Sequence, residues 1–271
     1  MSPPGEHPTG ATPPGARVDH PALAAERLGH GRPRLVLVHG FTQTGRSWAP
    51  IAADLACDHE VVLVDLPGHG GSGPVRATLP EAGALVGDAG GHGVYVGYSL
   101  GARVCLHLAL ARPDRTAGLV LLGGTGGIDD PVERADRRAA DEALAADLLA
   151  GGLDPFLDRW LALPLFSTLP PDARDREDRQ RNTVAGLAAS LRLAGTGTQE
   201  PLWERLGALT APVLVLAGAL DRRFVQHGER LARCIGPNAT FATVPGAGHA
   251  AHREQPEAFL RLLRAWLGTL P

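Results

Sequence analysis

The sequence predicts an α/β fold, a doubly wound and mostly parallel sheet with an inserted helical cap. Three observations lead there. Short β-branched and leucine-rich runs recur along the chain, and most are separated by enough residues for a crossover helix. One stretch of about 80 residues carries helical patterns and no strand signal. Continuous apolar runs of this kind suit strands buried on both faces, as in a parallel sheet.

Taken in order, residues 1–16 are rich in Pro and Gly and read as a disordered tail. Strands are expected at 35–38, 61–64, 94–96, 119–122, 213–216 and 240–244. A helix is expected at 102–111 and another at 256–267. Residues 127–207 hold helical patterns at 131–149, 155–163, 174–193 and 201–209, with a Gly-Thr-Gly-Thr turn at 195–198. That is too long for a crossover, so the segment reads as a cap over the strand ends, with residues 17–126 and 208–271 forming the core.

Composition narrows the class. The 271 residues are 44% apolar, which excludes a disulfide mini-protein or a fully disordered chain. A formal charge of -3 gives no reason to expect nucleic acid or an anionic membrane as partner. All 26 basic residues are arginine, so Schiff-base chemistry and a lysine base are excluded. Cys57, Cys105 and Cys234 form neither a disulfide framework nor a zinc set, which suits a reducing cytosol. With no signal-like h-region and no apolar run near the ~18 residues of a membrane helix, a cytoplasmic protein is expected. No pattern points to a metal or a cofactor.

The sharpest motif is Gly97-Tyr98-Ser99-Leu100-Gly101, after one expected strand and before a helix. G-x-S-x-G in that setting places a serine on a tight, exposed turn, where the glycines permit close backbone approach. The alternative is a chance Gly-Ser-Gly turn. A serine needs a base, and His249 in Pro245-Gly246-Ala247-Gly248-His249 follows the last strand. A solvated loop histidine is the alternative there, and His252 is such a competitor. Asp221, just past the strand at 213–216, can hold the imidazole tautomer. Backbone N–H groups of Leu100 and Phe41 are the expected oxyanion donors. His39 and Asp65 read as structural.

The order Ser99, Asp221, His249, each after its own strand, resembles the α/β-hydrolase superfamily from about residue 34 onward. A narrower resemblance rests on Gly97-Tyr98-Ser99-Leu100-Gly101-Ala102-Arg103, on His39-Gly40-Phe41-Thr42 with Trp48, and on residues 247–256. Residues 191–203 of the cap add the most specific match. These segments are similar to the 2-succinyl-6-hydroxy-2,4-cyclohexadiene-1-carboxylate synthases of menaquinone biosynthesis; Ala102 departs from the glycine common there.

That resemblance implies elimination of pyruvate from a cyclohexene bearing three carboxylates, with the triad abstracting a proton rather than forming an acyl-enzyme. It implies a small anionic substrate and arginines to hold it. Arg103, one turn after Ser99, is costly on an apolar helix unless paired; a protein carboxylate could be its partner instead. The resemblance adds Arg137 and Arg179, whose bland alternative is a solvated helix face. It also adds Trp160, which could equally be core, and Tyr98 as a hydrogen-bond donor to ligand. Two other readings stay open: a serine hydrolase acting on an ester or on the carbon–carbon bond of a diketone, and a ligand-binding protein without catalysis.

Overall fold

A computed structural model describes residues 22–270; the expected tail at 1–16 lies outside them. Seven strands form one sheet in the order β1-β3-β2-β4-β5-β6-β7. They are β1 (Ala25–Leu28), β2 (Leu35–Val38), β3 (Val61–Val64), β4 (Gly93–Tyr98), β5 (Thr116–Leu122), β6 (Val213–Gly218) and β7 (Ala239–Val244). Every pairing is parallel except β1 with β3. The edge strand β1 went unexpected, because Ala-Glu-Arg-Leu is mostly exposed and carries no buried apolar run.

The alternation of the strands builds two core layers. Val36, Val38, Val62 and Val64 face α2 (Leu79–Gly90) and α3 (Leu100–Ala111), with α8 (Arg222–Ile235) on the same side. Leu35, Leu37, Val61 and Leu63 face α1 (Ala49–Leu55) and α10 (Pro256–Leu267). Between β5 and β6 lie α4 (Pro131–Gly151), α5 (Leu153–Leu161), α6 (Arg176–Arg179) and α7 (Val184–Ala194). A short helix, α9 (Ala251–Glu254), precedes α10. None of the described helices is long and apolar enough to cross a membrane.

Local signals explain the helix starts. Pro131 follows Asp130, whose carboxylate accepts from Val132 and Glu133 N–H. Thr78 and Glu81 form a capping box on α2. The expected helix at 174–193 is corrected to α6 and α7, separated by a turn. Asp175 has φ +50°, and Asn182 turns its side chain onto Arg179 O (2.9 Å) and Thr42 O (2.7 Å). Thr183 then caps a new helix. The expected helix at 201–209 is a 3-10 segment, Trp203–Ala208. The pattern at 155–163 begins and ends two residues earlier, as α5.

The inserted helices are tied to the loops after β2 and β3. Asp178 accepts from Thr44 N–H (3.2 Å) and Thr44 Oγ1 (2.6 Å). Asn182 accepts from Gly70 N–H (2.9 Å). The segment therefore overlies the carboxyl ends of the strands. There β2 is flanked by β3 and β4, so the chain reverses direction across the sheet and opens a crevice.

Histidines brace this region from inside. His39 Nδ1 donates to Gly40 O (2.8 Å) and its Nε2 accepts from Leu66 N–H (3.0 Å), so the ring is neutral. Burial lowers the His39 pKa, that of His69 to about 3, that of His107 to about 4, and that of His252 well below the ordinary value. The unfolded chain takes up these protons near 6.5 while the folded chain does not, so stability is full above that pH and falls below it. Each histidine contributes up to about 1.4 kcal/mol per pH unit. The urea midpoint should therefore fall steadily from about pH 7.5 to about pH 5.5. His69→Asn, which keeps a donor for Pro67 O, should shallow that slope; a flat profile in the parent protein would contradict the account.

Candidate active site

The turn from β4 to α3 carries Ser99 at φ +52°, a region that a non-glycine residue occupies only where its surroundings hold it. Ser99 N–H donates to Leu122 O of β5 (2.9 Å). A Cβ at Gly97 would stand 2.5 Å from Gly101 O, and one at Gly101 would stand 2.2 Å from Val38 O. The two motif glycines thus let β2, β4 and α3 pack backbone to backbone, and the serine is squeezed onto the tip.

The structure brings the three expected residues together. Ser99 Oγ lies 3.1 Å from His249 Nε2, and His249 Nδ1 lies 2.9 Å from Asp221 Oδ2. A carboxylate only accepts, so Nδ1 carries the hydrogen and Nε2 is free to receive the serine proton. Asp221 does a second job, since its Oδ1 accepts from Phe224 N–H (3.3 Å) and caps α8. The Asp221 and His249 loops are laced by Leu220 N–H to Ala247 O (2.9 Å) and Ala219 N–H to Val244 O (3.0 Å).

Glu254 fixes the histidine loop, a role that sequence reading missed. Its carboxylate accepts from Gly248 N–H (2.6 Å) and Ala250 N–H (3.0 Å), on either side of His249. A Cβ at Gly248 would meet Thr168 Oγ1 at 2.2 Å, so the inserted segment presses on the same loop. His252 is not the solvated competitor expected. It is fully buried, with its ring 4.2 Å from Trp48 and 4.6 Å from Tyr98 between centroids.

Ser99 and His249 open onto a pocket shared by the core and the inserted helices. Phe41 and Leu100 line it, and among the described residues neither backbone N–H has an acceptor. Gly40 lets that loop approach Tyr98, whose ring carbon would lie 2.7 Å from an added Cβ. Tyr98 lines the pocket too, and burial pushes its phenol pKa up. Trp160 lines the pocket beside Phe41, edge-on to it at 5.1 Å and stacked on Phe156 at 6.0 Å, so lining and packing coincide.

The arginines differ in their engagement. Arg103 is buried and pairs with no carboxylate among the described residues; it donates to Gly195 O (3.2 Å) and Gln199 Oε1 (3.4 Å). Burial lowers its pKa to about 10, and the nearby Arg137 adds to the shift. Arg137 is bound to Asp141 (2.8 Å), whose other oxygen accepts from Gly197 N–H (3.1 Å). Arg179 is buried rather than on a solvated face, donating to Thr42 Oγ1 and to Arg174 O (2.7 Å). All three line the pocket. Sequence reading missed Gln43, Asp141, Arg223, Phe224 and His227, which also line it. Phe224 and His227 follow Asp221 by three and six residues along α8, a spacing that places them on the face near it; Phe224 sits 4.4 Å from His249, ring to ring.

Comparison with known proteins agrees with the fold. Residues 35–262 match the model of the alpha/beta hydrolase family. The 2-succinyl-6-hydroxy-2,4-cyclohexadiene-1-carboxylate synthase of Photorhabdus laumondii is 34% identical over 245 residues, covering 87% of this chain and 86% of that protein. The structure of MenH from S. aureus is similar at TM-score 0.83 and 28% identity, covering 90% of this chain and 97% of that one. An esterase from Thermogutta terrifontis is similar at TM-score 0.76 and 27% identity, covering 92% and 93%.

The Glu254 clamp makes a prediction. Glu254→Gln turns one acceptor into a donor facing an N–H, a loss of about 1–3 kcal/mol in unfolding free energy. Labelling of Ser99 by a fluorophosphonate should slow at least roughly tenfold, because His249 is no longer held on its axis. Parental labelling and stability would show that the clamp is idle.

Proposed function

Because the chain belongs to the alpha/beta hydrolase family and, within it, to the 2-succinyl-6-hydroxy-2,4-cyclohexadiene-1-carboxylate synthases, we propose that it is a cytoplasmic lyase of menaquinone biosynthesis. It eliminates pyruvate from 2-succinyl-5-enolpyruvyl-6-hydroxy-3-cyclohexene-1-carboxylate. The observation that carries this reading is a complete serine–histidine–aspartate chain opening onto a pocket lined by arginines, one of them buried without a carboxylate partner. A site that hydrolysed neutral esters would have no use for a desolvated guanidinium.

Ser99 passes its proton to His249 Nε2 and removes the proton from the ring carbon bearing the succinyl group. The released electron pair forms a double bond to the next ring carbon. The existing ring double bond shifts one position, and the carbon–oxygen bond to the enolpyruvyl arm breaks with its electrons on oxygen. The abstracted proton remains on Ser99 Oγ and restores its hydroxyl, and the proton held by His249 converts enolpyruvate to pyruvate, so atoms and charge balance. Phe41 and Leu100 N–H groups hold the succinyl oxygen as it gains charge, and Asp221 stabilises the imidazolium. Arg103 and Arg179 grip carboxylates from below and from the inserted helices.

The test is pyruvate release from substrate generated in situ. Ser99→Ala should lower the rate by at least ~10³-fold without unfolding the chain. Arg103→Ala should raise KM far more than it lowers kcat. No acceleration above spontaneous loss, together with turnover of activated esters, would assign a serine hydrolase instead.

A further inference from the structure

Gln43 lines the pocket, and the lyase steps above do not use it. The side chain is buried, at 1% exposure. Its backbone N–H donates to Gly40 O (3.2 Å), and its Oε1 accepts from Gly40 N–H (3.1 Å). A backbone N–H only donates, so the amide oxygen must face Gly40 and the orientation of the amide is fixed. Its Nε2 carries two hydrogens and has no acceptor among the described residues. Nor is Nε2 one of the fully enclosed unpartnered nitrogens, so its remaining exposure is to the pocket. A buried amide donor without an acceptor is costly, which points to a ligand atom as its partner.

Two other donors converge there. A Cβ on Gly40 would lie 2.7 Å from a Tyr98 ring carbon and 3.3 Å from Gln43 Oε1, so phenol and amide flank the same glycine. Arg179 donates to Thr42 Oγ1, one residue before Gln43, and is near enough to Tyr98 for its charge to act on the phenol. Tyr98 and Arg179 line the pocket as well. The carboxylates of Asp175 and Asp178, close to Arg179 in sequence, do not: Asp175 pairs with Arg253, and Asp178 accepts from Thr44.

We propose that Gln43 Nε2 is a specificity-determining donor, bonded to the same substrate carboxylate as Arg179. This rests on the lyase reading given above and adds a neutral contact to it. A carboxylate offers about four lone-pair sites and a bidentate guanidinium fills two, which leaves room for an amide. A second cation beside Arg179 would repel it and be costly to bury; an amide adds a hydrogen bond without adding charge. The bond to Gly40 holds the amide in place before the ligand arrives, so little side-chain freedom is lost on binding.

Pyruvate-release kinetics, fluorophosphonate labelling of Ser99 and side-chain amide NMR test this, with Gln43→Met and Gln43→Glu as variants. In the parent, the Gln43 amide resonances, identified by their loss from both variants, should shift when the diene product is added. Gln43→Met keeps the length but loses both donor and acceptor, and KM should rise about tenfold. Gln43→Glu keeps an acceptor for Gly40 N–H but turns a negative charge toward the ligand. Its KM should rise more than that of Gln43→Met. Its labelling, which involves no carboxylate on the probe, should fall less than in Gln43→Met. An unshifted amide, a parental KM in either variant, or equal losses of labelling and of KM in Gln43→Glu would overturn the donor and leave Gln43 as a brace for Gly40. A parent protein that releases no pyruvate would overturn the lyase reading itself, and the carboxylate ligand with it.

Discussion

The arrangement depends on one close contact, the backbone of α3 pressed against the end of β2. A Cβ on Gly101 would lie only 2.2 Å from Val38 O, so only glycine permits this approach. With that approach, Ser99 is forced to φ +52°, its N–H reaches Leu122 O, and its side chain stands clear of the sheet. Because β2 and β4 are adjacent, the same contact places the loop carrying Phe41 beside the first turn of α3. Nucleophile and oxyanion donors are thereby set by main-chain packing, which is stiffer than any side-chain rotamer.

Much of this was legible in the sequence because it was punctuated. Gly97, Ser99 and Gly101 fall directly after an apolar run, and Asp221 and His249 each follow another. Parallel strands buried on both faces announce themselves by continuous apolarity, which made five readable, and the β-branched run of the edge strand β7 made a sixth readable. The edge strand β1 was not, since its residues are exposed and its pairing is made by backbone groups. The break between α6 and α7 was equally hidden. It is caused by Asn182 reaching residues 140 positions away in sequence, a tertiary contact that helical periodicity does not encode. The pocket wall on α8 was missed because its residues look like an ordinary amphipathic surface; only the position of Asp221 reveals which face turns inward. Glu254 was missed because its partners are backbone N–H groups.

The inserted helices and the core are joined by polar contacts as well as by an apolar seam, in which Phe41 packs on Phe156 and Trp160 while Phe166 and Leu169 join the core. Asp178, Arg179 and Asn182, from one short stretch, engage Thr42, Thr44 and Gly70. Thr42 has φ +68°, so a second strained residue lies directly beside the expected oxyanion loop. These contacts hold that loop from above while His39 holds it from below through Leu66 N–H. Both layers therefore converge on a single segment, residues 39–44, and its position controls how tightly a developing oxyanion is met.

Asp221 has two oxygens and two clients, the His249 imidazole and the Phe224 N–H in the first turn of α8. The proton relay and the wall that bears Arg223, Phe224 and His227 therefore share one anchor. Substrate preference and basicity are not separately adjustable in this molecule. A change that re-aims the wall to admit a different ligand also tilts the imidazole, and drift toward new substrates must either repair both at once or begin from α4 and α7, whose pocket-lining residues make no hydrogen bond to Asp221 or His249 among the described residues.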